Sequence, residues 1–538
     1  ELNKEFGTDM HIDKIAITVF GGVKIKGIFA GDKHKDTVFY INRLQTNILD
    51  IKKLTKGKLI FGKTNIDGLD LKITKYKGED KTNLDEFIAA FDDGKEGTGK
   101  FLMKVEHMNV TSSRFRMIDE NLQTQKILDF TKLKGQVDFF KIKGPVVTAD
   151  IKELSLLDHR GLLVENLTSN FTYSKKNIRL EKLNLKTKES TLIGDVILKY
   201  KPKDFSDFNN KVVFDVNMEK ASVSSNELNF FYNEFGKNQR FYVATHLVGT
   251  LNNFTTHDLR LLDKNDSEII GTVNFRNLFN KKGEFYMKGN FDRVTSNYDN
   301  LKTILPRVLG KSLPETLKKL GKVDIVGDIT LTKTKIDADI YMMSGLGELN
   351  SNMSMSNINN INNASYKGLV TLNNFDIGAL VNEKDLGRVT LDLDVDGKGF
   401  NKKYLNTSVK GKVQRLTYNK YTYQNITIDG KMKMPYFKGY LNSNDPNLKM
   451  DFNGLVDMSS RMKNYDFQAQ IDYADLHMLN FMKKDTLSIF KGGLKFIAKG
   501  NSLDDLAGKL TVSNVSYQNS RDNYFFDDFQ IESTFDPE

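Results

Sequence analysis

The sequence predicts a mainly β protein built from many antiparallel strands with one apolar face, accompanied by a few short helices. Three observations predict it: apolar and polar residues alternate in many segments, glycine-containing dipeptides separate those segments, and only seven prolines occur in 538 residues. Alternation gives a strand one apolar and one polar side because successive side chains point in opposite directions. On the same basis, Asp429-Gly430, Asn453-Gly454 and Gly492-Gly493 are interpreted as hairpin turns.

The clearest alternation runs from Val389 to Asp396, where every second residue is apolar and the residues between them are threonine or aspartate. Other segments follow the same rule, and we predict that their apolar side chains line a shared groove. The predicted lining residues are Ile15, Ile17, Val19, Val323, Ile325, Ile329, Leu331, Ile336, Ala338, Ile340, Met342, Val389, Leu391, Leu393, Val395, Ile426, Ile428, Met432, Met434, Leu448, Met450, Phe452, Phe467, Ala469, Ile471, Leu494, Phe496 and Ala498.

Short helices are predicted where apolar residues recur at helical spacing. Each such segment has one apolar stripe, so each is expected to pack on the sheet and cover one end or edge of its apolar face. The predicted helical segments are Thr82–Phe91, Ser225–Phe235, Tyr298–Leu305, Ser312–Gly321, Asp376–Val381 and Asp475–Met482.

The number of strands raises a physical problem. At 12–15 residues per strand and turn the chain holds on the order of 35 strands, and an open twisted sheet rarely exceeds about ten without curling or splitting. The apolar face is therefore covered either by closed barrels and sandwiches or by curling into a long gutter that holds something apolar. A glycine rhythm in the second half, as in Val395–Gly399 and Ala498–Gly500, indicates repeating units of roughly 80–100 residues. The pattern leaves the two closures open.

Composition excludes several classes of function. There is no cysteine, which excludes disulfides and thiolate chemistry, and no apolar stretch is long enough to cross a bilayer as a helix. The net charge is +10, but lysine and aspartate alternate along the strands instead of forming blocks. This favours a solvated outer face over a nucleic-acid site, with a weak attraction to anionic lipid headgroups left open. Neither end resembles a signal peptide, and both ends look cut from a longer chain.

Motifs for catalysis, metals and cofactors fail on inspection. Gly94–Lys100 has the spacing of a phosphate-binding loop, but Phe101 stands where magnesium chemistry needs a hydroxyl. Asp392–Gly397 begins like a calcium loop, but position twelve is Lys403, and Gly345–Gly347 lacks the third glycine of a dinucleotide loop. The seven histidines are scattered singly. We therefore expect no enzyme activity, no cofactor and no metal.

The opening of the chain carries a resemblance to a known family. Its residues Leu2–Asp9, His11–Lys14 and Phe20–Ile28 are similar to the AsmA-like segment that follows the membrane anchor in TamB-type proteins. Later segments look like the same family's strands, helix entry and middle repeats: Val38–Leu44, Gly57–Gly62, Ile66–Leu69, Tyr76–Leu84, Asn226–Phe235, Gly249–Asn253, Leu317–Gly321, Val323–Gly327, Ser443–Leu448 and Asp451–Gly454. The likeness extends over the whole chain, without the family's N-terminal membrane helix or its C-terminal domain.

The resemblance implies a long antiparallel sheet curled into a taco-like groove, as in bridge-like lipid-transfer proteins. It implies a periplasm-spanning subunit of the translocation and assembly module, anchored in the inner membrane through the missing N-terminal helix. The implied partners are phospholipids and an outer-membrane β-barrel protein with POTRA domains, and nucleic acid is not among them. The implied role is phospholipid movement towards the outer membrane, outer-membrane protein assembly, or both.

On this basis the chain divides into four segments: an AsmA-like part at residues 1–100, groove segments at 101–225 and 226–386, and groove repeats at 387–538. A second hypothesis is a structural or protein-binding array of closed β-sandwich or barrel domains without lipid transport. The run Phe526–Phe535 is predicted to be an exposed edge strand, which a partner strand could extend.

Overall fold

The computed structural model describes residues 9–18, 22–48, 58–89, 102–122, 126–231, 235–278, 283–304, 306, 315–360, 362–400, 403–433, 435–459, 462–501 and 505–534. It confirms the mainly β fold with a few short helices. The chain forms two compact units, one comprising Glu1–Gly283 with Ile304–Arg307 and the other Glu284–Thr303 with Val308–Glu538. We call them unit 1 and unit 2. The four-segment division inferred from the sequence stays a prediction.

Unit 1 contains fourteen described strands, each paired with the next along the chain. The strands are β1 (Asp9–Ile17), β2 (Gly22–Gly31), β3 (Thr37–Ile48), β4 (Lys58–Lys75), β5 (Leu102–Asp119), β6 (Lys126–Lys143), β7 (Val146–Asp158), β8 (Leu163–Tyr173), β9 (Asn177–Thr187), β10 (Thr191–Lys199), β11 (Val213–Ser224), β12 (Arg240–Gly249), β13 (Asn253–Asp263) and β14 (Glu268–Arg276). All pairs are antiparallel except β4 and β5, which run parallel.

Unit 2 contains fifteen described strands, and all of their pairings are antiparallel. The strands are β15 (Tyr286–Asn297), β16 (Lys322–Thr332), β17 (Lys335–Ser344), β18 (Gly347–Ser356), β19 (Ser365–Asp376), β20 (Leu386–Lys398), β21 (Asn406–Tyr418), β22 (Tyr421–Lys433), β23 (Tyr436–Asp445), β24 (Leu448–Asp457), β25 (Lys463–Asp475), β26 (Ser488–Gly500), β27 (Ala507–Asn519), β28 (Asn523–Phe526) and β29 (Phe529–Ser533).

The last two strands of unit 2 occupy the predicted edge. Both β28 and β29 pair with β27, and their residues are exposed along their whole length. Asp528 lies between them and accepts a hydrogen bond from the backbone N of Asn514 at 2.9 Å. Among the described residues no further strand pairs with them, while Phe535 of the predicted run lies outside those residues.

Short helices occur at most of the predicted places. The helices are α1 (Asn83–Ala89), α2 (Phe208–Lys211), α3 (Ser225–Leu228), α4 (Tyr298–Ile304) and α5 (Ile377–Val381), with 3₁₀ helices at Pro202–Asp207 and Glu315–Leu320. The prediction over 312–321 is met in part by the second 3₁₀ helix, since Ser312 and Pro314 lie outside the described residues, as do Phe91 and Leu305 at the ends of two others. α3 is shorter than predicted and ends at Leu228.

The helix predicted at Asp475–Met482 is wrong. Asp475 is the last residue of β25, and the backbone after it folds into consecutive turns. Its carboxylate accepts hydrogen bonds from the backbone N of His477 and Met478, both at 3.1 Å, while Phe481 N and Met482 N both reach the carbonyl of Leu476. Asn480 has φ = 64°, and a left-handed residue of this kind ends a helical turn, so the segment closes before a helix forms; the apolar spacing alone did not reveal it.

The glycines interpreted as turns are also wrong. Gly430, Gly454 and Gly492 lie inside β22, β24 and β26, and the turns fall elsewhere. Gly430 is directly opposite Gly439, which is opposite Gly454, so three neighbouring strands have no side chain at the same level. Gly439 and Gly454 have φ values of 158° and 144°. Glycine can adopt such values where other residues cannot, and an ideal Cβ at Gly454 would lie 2.3 Å from the carbonyl oxygen of Asp466, so the dipeptides mark places inside the sheet that exclude a side chain.

Two small hydrophobic clusters are buried among the described residues of unit 2. The first joins Leu372, Phe375, Val389 and Leu391 of the sheet to Leu320, and Ile377 and Leu380 of α5 pack against it. The second joins Tyr423 and Ala474 to Leu479, which is 1% exposed in the turns after β25. Both clusters lie at the end of the sheet where α5 and the 3₁₀ helix Glu315–Leu320 pack. The helices therefore cover one end of the apolar face, as predicted.

The turn between β23 and β24 depends on a fully buried carboxylate. Asp445 is 0% exposed and accepts hydrogen bonds from the Tyr421 hydroxyl, from Gln424 N at 2.8 Å and from Asn447 N at 2.8 Å. Burial and the hydrogen bond to Asp445 raise the pKa of Tyr421 to about 12. We expect Asp445→Ala to lower the free energy of unfolding by about 3 kcal/mol, because two backbone donors and a hydroxyl lose their acceptor.

Urea unfolding followed by far-ultraviolet circular dichroism measures this change, since the chain has no tryptophan. The exposed Asp429, whose carboxylate lies 2.9 Å from Lys410, provides the matched control. Asp429→Ala should leave the unfolding midpoint almost unchanged. Equal shifts for the two variants would contradict the structural role given to Asp445.

Candidate apolar binding face

The register of unit 2 aligns apolar side chains across the whole sheet. Residues directly opposite each other in paired strands lie on the same face, so a chain of partners traces one line across the strands. We call one such line the central row. It consists of Phe291, Gly327, Ile340, Ser351, Val370, Leu393, Gly411, Ile428, Leu441, Phe452, Ala469, Leu494, Val512 and Phe529. It runs from β15 to β29 with only three non-apolar interruptions, two glycines and one serine.

A second row lies two residues further along each strand on the same face. It consists of Gly289, Ile329, Ala338, Met353, Gly368, Val395, Val409, Gly430, Gly439, Gly454, Phe467, Phe496, Leu510 and Ile531. Further rows on either side pass through Leu331, Ile336 and Met432, and through Ile325, Leu391 and Met450. Together the rows form what we call the apolar face of unit 2.

This face brings together the described lining residues predicted from Val323 onwards. Most of them are half-buried, and only Val323, Met342, Val389, Leu391, Ala469 and Ala498 are buried. Ile15 and Ile17 lie instead on β1 of unit 1, where they are 57% and 79% exposed. Val19 and Met434 lie outside the described residues. The alternation therefore identified one real face in unit 2.

The middle of the face is only partly covered by the described protein. Ile340, Val370, Leu393 and Ile428 of the central row are half-buried, while their neighbours along each strand are mostly exposed. The buried clusters described above occupy the end next to α5. In a closed β-sandwich the central side chains would be the most deeply buried. Here these four central side chains are only half-buried, whereas Phe375 and Val389 at the α5 end are buried, so this part of the face leaves apolar surface open.

Aromatic rings reinforce the face near its last strands. The Phe452 ring lies 6.0 Å from Phe437 and 5.3 Å from Phe467, and the Phe467 ring lies 5.7 Å from Phe496. An ideal Cβ built on Gly430 would lie 3.0 Å from the Phe437 ring. The ring of Phe437 thus covers backbone that the glycine leaves bare, which is a known way of stabilising glycine in a sheet. The result is a smooth apolar surface without deep pockets.

Unit 1 has an apolar row that the sequence did not reveal. Leu59, Met103, Ile142, Val147, Tyr173, Ile178, Leu198, Phe214, Gly249, Phe254 and Phe275 are successive partners from β4 to β14. We call this the unit 1 row. At β10 and β11 it continues into an aromatic cluster, in which Phe208 lies 5.7 Å from Phe214 and Phe205 lies 4.5 Å from Tyr200.

The opposite face of unit 2 is polar, as predicted. Lys367 pairs with Asp396 at 3.0 Å, and Lys410 pairs with Asp429 at 2.9 Å. These hydrogen-bonded carboxylates raise the pKa of both lysines. The aspartates of the calcium-like segment belong to this face: Asp392 is exposed and accepts a hydrogen bond from the Thr371 hydroxyl at 2.7 Å. They lie along a strand and do not form a loop around a cation.

The described residues contain no group of three or more histidine, aspartate or glutamate side chains placed to hold a metal ion. The phosphate-loop-like segment Gly94–Lys100 lies outside them. None of the helices in the described ranges is both long enough and apolar enough to span a membrane. The apolar face is therefore the feature on which a functional argument can be built.

Comparisons with protein-family models, with curated proteins and with solved structures gave no match to this chain. The class of protein is therefore defined by its own architecture: extended antiparallel sheets that each present an apolar row or face. The resemblance to TamB-type proteins stays a prediction from the sequence.

Proposed function

We propose that the apolar face binds the acyl chains of lipids and lets them move along the rows. The observation that carries this proposal is the continuity of the central row across fourteen strands, with half-buried side chains at its middle. The burial of apolar surface stabilises an acyl chain on such a face by about 0.8 kcal/mol per CH₂ group. No covalent chemistry is required.

The composition of the rows suits movement better than fixed binding. The two rows consist mainly of leucine, isoleucine, valine, methionine, phenylalanine, alanine and glycine, and their one polar residue, Ser351, is buried. A uniform surface offers a sliding chain similar contacts at every step, so no position traps it. With strands spaced about 4.8 Å apart, the fifteen strands of unit 2 provide roughly 65 Å of such surface.

The resemblance described above extends this proposal to a cellular role. TamB-type proteins are inner-membrane-anchored and periplasmic, and we propose the same location here, with phospholipid as cargo and a POTRA-containing outer-membrane protein as partner. Support for the lipid part comes from the apolar face. The alternative, an array of closed domains that binds proteins, is disfavoured by the half-exposure of the central row.

Native mass spectrometry of the full chain, purified without detergent, tests the proposal. We expect phospholipid to co-purify with the wild-type protein and Leu393→Asp to lose most of it. Leu393 is half-buried and packs against the outside of the cluster that contains Leu391, so an aspartate there can turn towards the opening and should cost less stability than a charge inside the cluster. The acyl chains of a bound lipid would lie against the new carboxylate, which is unfavourable because the charge would be shielded from water.

Leu369→Asp is the matched control. Leu369 precedes Val370, the partner of Leu393, but points to the polar face and is 59% exposed. This variant should keep its lipid. Absence of lipid in the wild-type protein, or cooperative unfolding of Leu393→Asp at several kcal/mol lower stability, would favour closed domains instead.

A further inference from the structure

The loop that follows β25 in unit 2 holds large apolar side chains in water. Within residues 476–487, Phe481 is 61% exposed, Met478 is 52% exposed and Met482 is also exposed, although Leu479 between them is buried. Removal of apolar surface from water is favourable, so a fold that leaves a phenylalanine exposed beside a buried leucine keeps surface that a partner can cover. Contiguous exposed apolar side chains of this kind mark binding sites for proteins or membranes.

Hydrogen bonds and a buried leucine fix this loop on the sheet. Leu476 N donates to the carbonyl of Ser488 at 2.7 Å, while Phe481 N and Met482 N donate to the carbonyl of Leu476 at 2.8 Å and 2.9 Å. Leu479 is 1% exposed and belongs to the second cluster described above. The outward orientation of the exposed side chains is therefore imposed by the fold of the loop.

The turn between β21 and β22 extends the exposed apolar surface. The side-chain amide of Asn480 donates a hydrogen bond to the carbonyl of Asn419 at 3.0 Å and so joins the loop to this turn. Tyr418, the residue before Asn419, is 46% exposed. We call Tyr418, Met478, Phe481 and Met482 the apolar patch.

Lysines border the apolar patch. Lys483 and Lys484 follow Met482 directly, Lys420 follows Asn419, and all three are exposed. Among the described residues none of the three has an ion-pair partner. Asp485 is the one acidic residue of the loop 476–487. The connection after α5, which lies on the other side of Asn419, has one lysine between two acidic residues, so the positive charge is concentrated beside the exposed methionines and phenylalanine.

The buried side of the loop adjoins the apolar face of unit 2. Ile426 and Ile471 pack against the cluster that contains Leu479. Both isoleucines lie in the row of the apolar face that passes through Leu391 and Met450. The loop therefore has its outer side chains in water and its inner side chain against the surface proposed to bind acyl chains.

This composition fits the surface of a membrane. Aromatic and other large apolar side chains are favourable at the boundary between headgroups and acyl chains, and lysine stems cross that boundary and place their charge near lipid phosphates. Each lysine close to an anionic surface strengthens the attraction. The contact between the loop and the apolar face favours a bilayer over a protein partner, because a bilayer contains the acyl chains that this face is proposed to bind.

We propose that the apolar patch inserts into the headgroup region of an anionic lipid bilayer, with Lys420, Lys483 and Lys484 at the lipid phosphates. The inference rests on the proposed lipid binding and adds to it the surface from which lipid reaches the protein. Docking at this loop places the α5 end of the apolar face beside the bilayer. A lipid that leaves the bilayer there passes from one apolar environment to the next over a short distance.

Flotation of the full chain with vesicles made of equal parts phosphatidylglycerol and phosphatidylcholine tests the inference. We expect the wild-type protein to float with the vesicles, and the double variant Met478→Gln with Phe481→Gln to bind them about tenfold more weakly. Its melting temperature should be unchanged, because both side chains are exposed. The double variant Lys483→Gln with Lys484→Gln should also lose about tenfold in binding, and salt near 1 M should weaken the wild-type protein in the same way.

Matched controls make the same changes on the polar face of unit 2. Met343 and Leu369 are 48% and 59% exposed there, so Met343→Gln with Leu369→Gln removes comparable exposed apolar surface. Lys412→Gln with Lys431→Gln removes the same charge from exposed positions. Both control variants should bind vesicles as the wild-type protein does. Equal losses in the patch variants and their controls would overturn the inference, because general hydrophobicity and net charge would then be responsible.

Two further outcomes would overturn the inference and leave the proposed function intact. One is a wild-type protein that does not float although phospholipid co-purifies with it. The other is self-association of the wild-type protein, without vesicle binding, that Met478→Gln with Phe481→Gln abolishes, because a second copy would then cover the apolar patch. A protein that floats but contains no co-purified phospholipid would instead contradict the proposed function itself.

Discussion

Leu391→Arg is expected to lower the free energy of unfolding of unit 2 by about 4 kcal/mol. The same substitution at Leu393, two residues away, is expected to cost less. Leu391 is 8% exposed and belongs to the cluster that contains Leu372, Phe375 and Val389. Helix α5 packs over this cluster, so an arginine at this position cannot extend its guanidinium into water without displacing the helix. The buried charge would have no partner in the cluster.

Urea unfolding of Leu391→Arg and Leu393→Arg, followed by circular dichroism, measures the contrast. Leu393→Arg should shift the midpoint less than Leu391→Arg, because Leu393 is half-buried and packs against the outside of the cluster. Substitution of Leu391 alone does not distinguish an open groove from a closed core, because this residue is buried in either arrangement. Comparable destabilisation by the two substitutions would mean that the central row is as tightly covered as the α5 cluster.

Gly411→Val is the second substitution with a large expected effect, about 3 kcal/mol or more of lost stability. Gly411 has φ = 150°, and an ideal Cβ there would lie 2.1 Å from the carbonyl oxygen of Asp392. Both the backbone angle and the neighbouring strand therefore oppose any side chain. A β-branched residue, normally favourable in a strand, is unfavourable here because β20 lies in the way.

The melting temperatures of Gly411→Val and Lys412→Val, measured by thermal unfolding, test this expectation. Lys412 is the next residue of β21 and lies on its polar face. Lys412 is exposed, so valine there should change the melting temperature by only a few degrees. A Gly411→Val protein as stable as the wild type would mean that β21 can relax away from β20. Glycine would then not be required at this position.

The sequence predicted unit 2 better than unit 1, and the reason is local. From Ile336 to Met342 every second residue is apolar, and β17 pairs with both neighbours without any shift of register. In β9 the alternation of apolar and polar residues shifts by one position: Ile178 and Leu180 are followed by Leu183 and Leu185. The shift occurs because β9 contains one extra residue at Lys182, which has φ = 52°. A bulge of this kind reverses the alternation, so a period-two pattern cannot be followed through it.

The glycines misled for a different reason, since Asn453-Gly454 has the composition of a turn but lies within β24.

The connectivity of unit 2 makes the sheet modular. From β15 to β27 each strand pairs with its neighbours in the chain, and no strand crosses over another. Duplication or loss of one hairpin therefore lengthens or shortens the apolar surface by about 9.6 Å and leaves the inward and outward sides of all other strands unchanged. Insertion of a single strand would reverse the direction of every strand that follows it, whereas insertion of a two-strand hairpin keeps their direction. The length of the apolar surface can therefore change during evolution in steps of two strands, while the side chains of the other strands keep their positions.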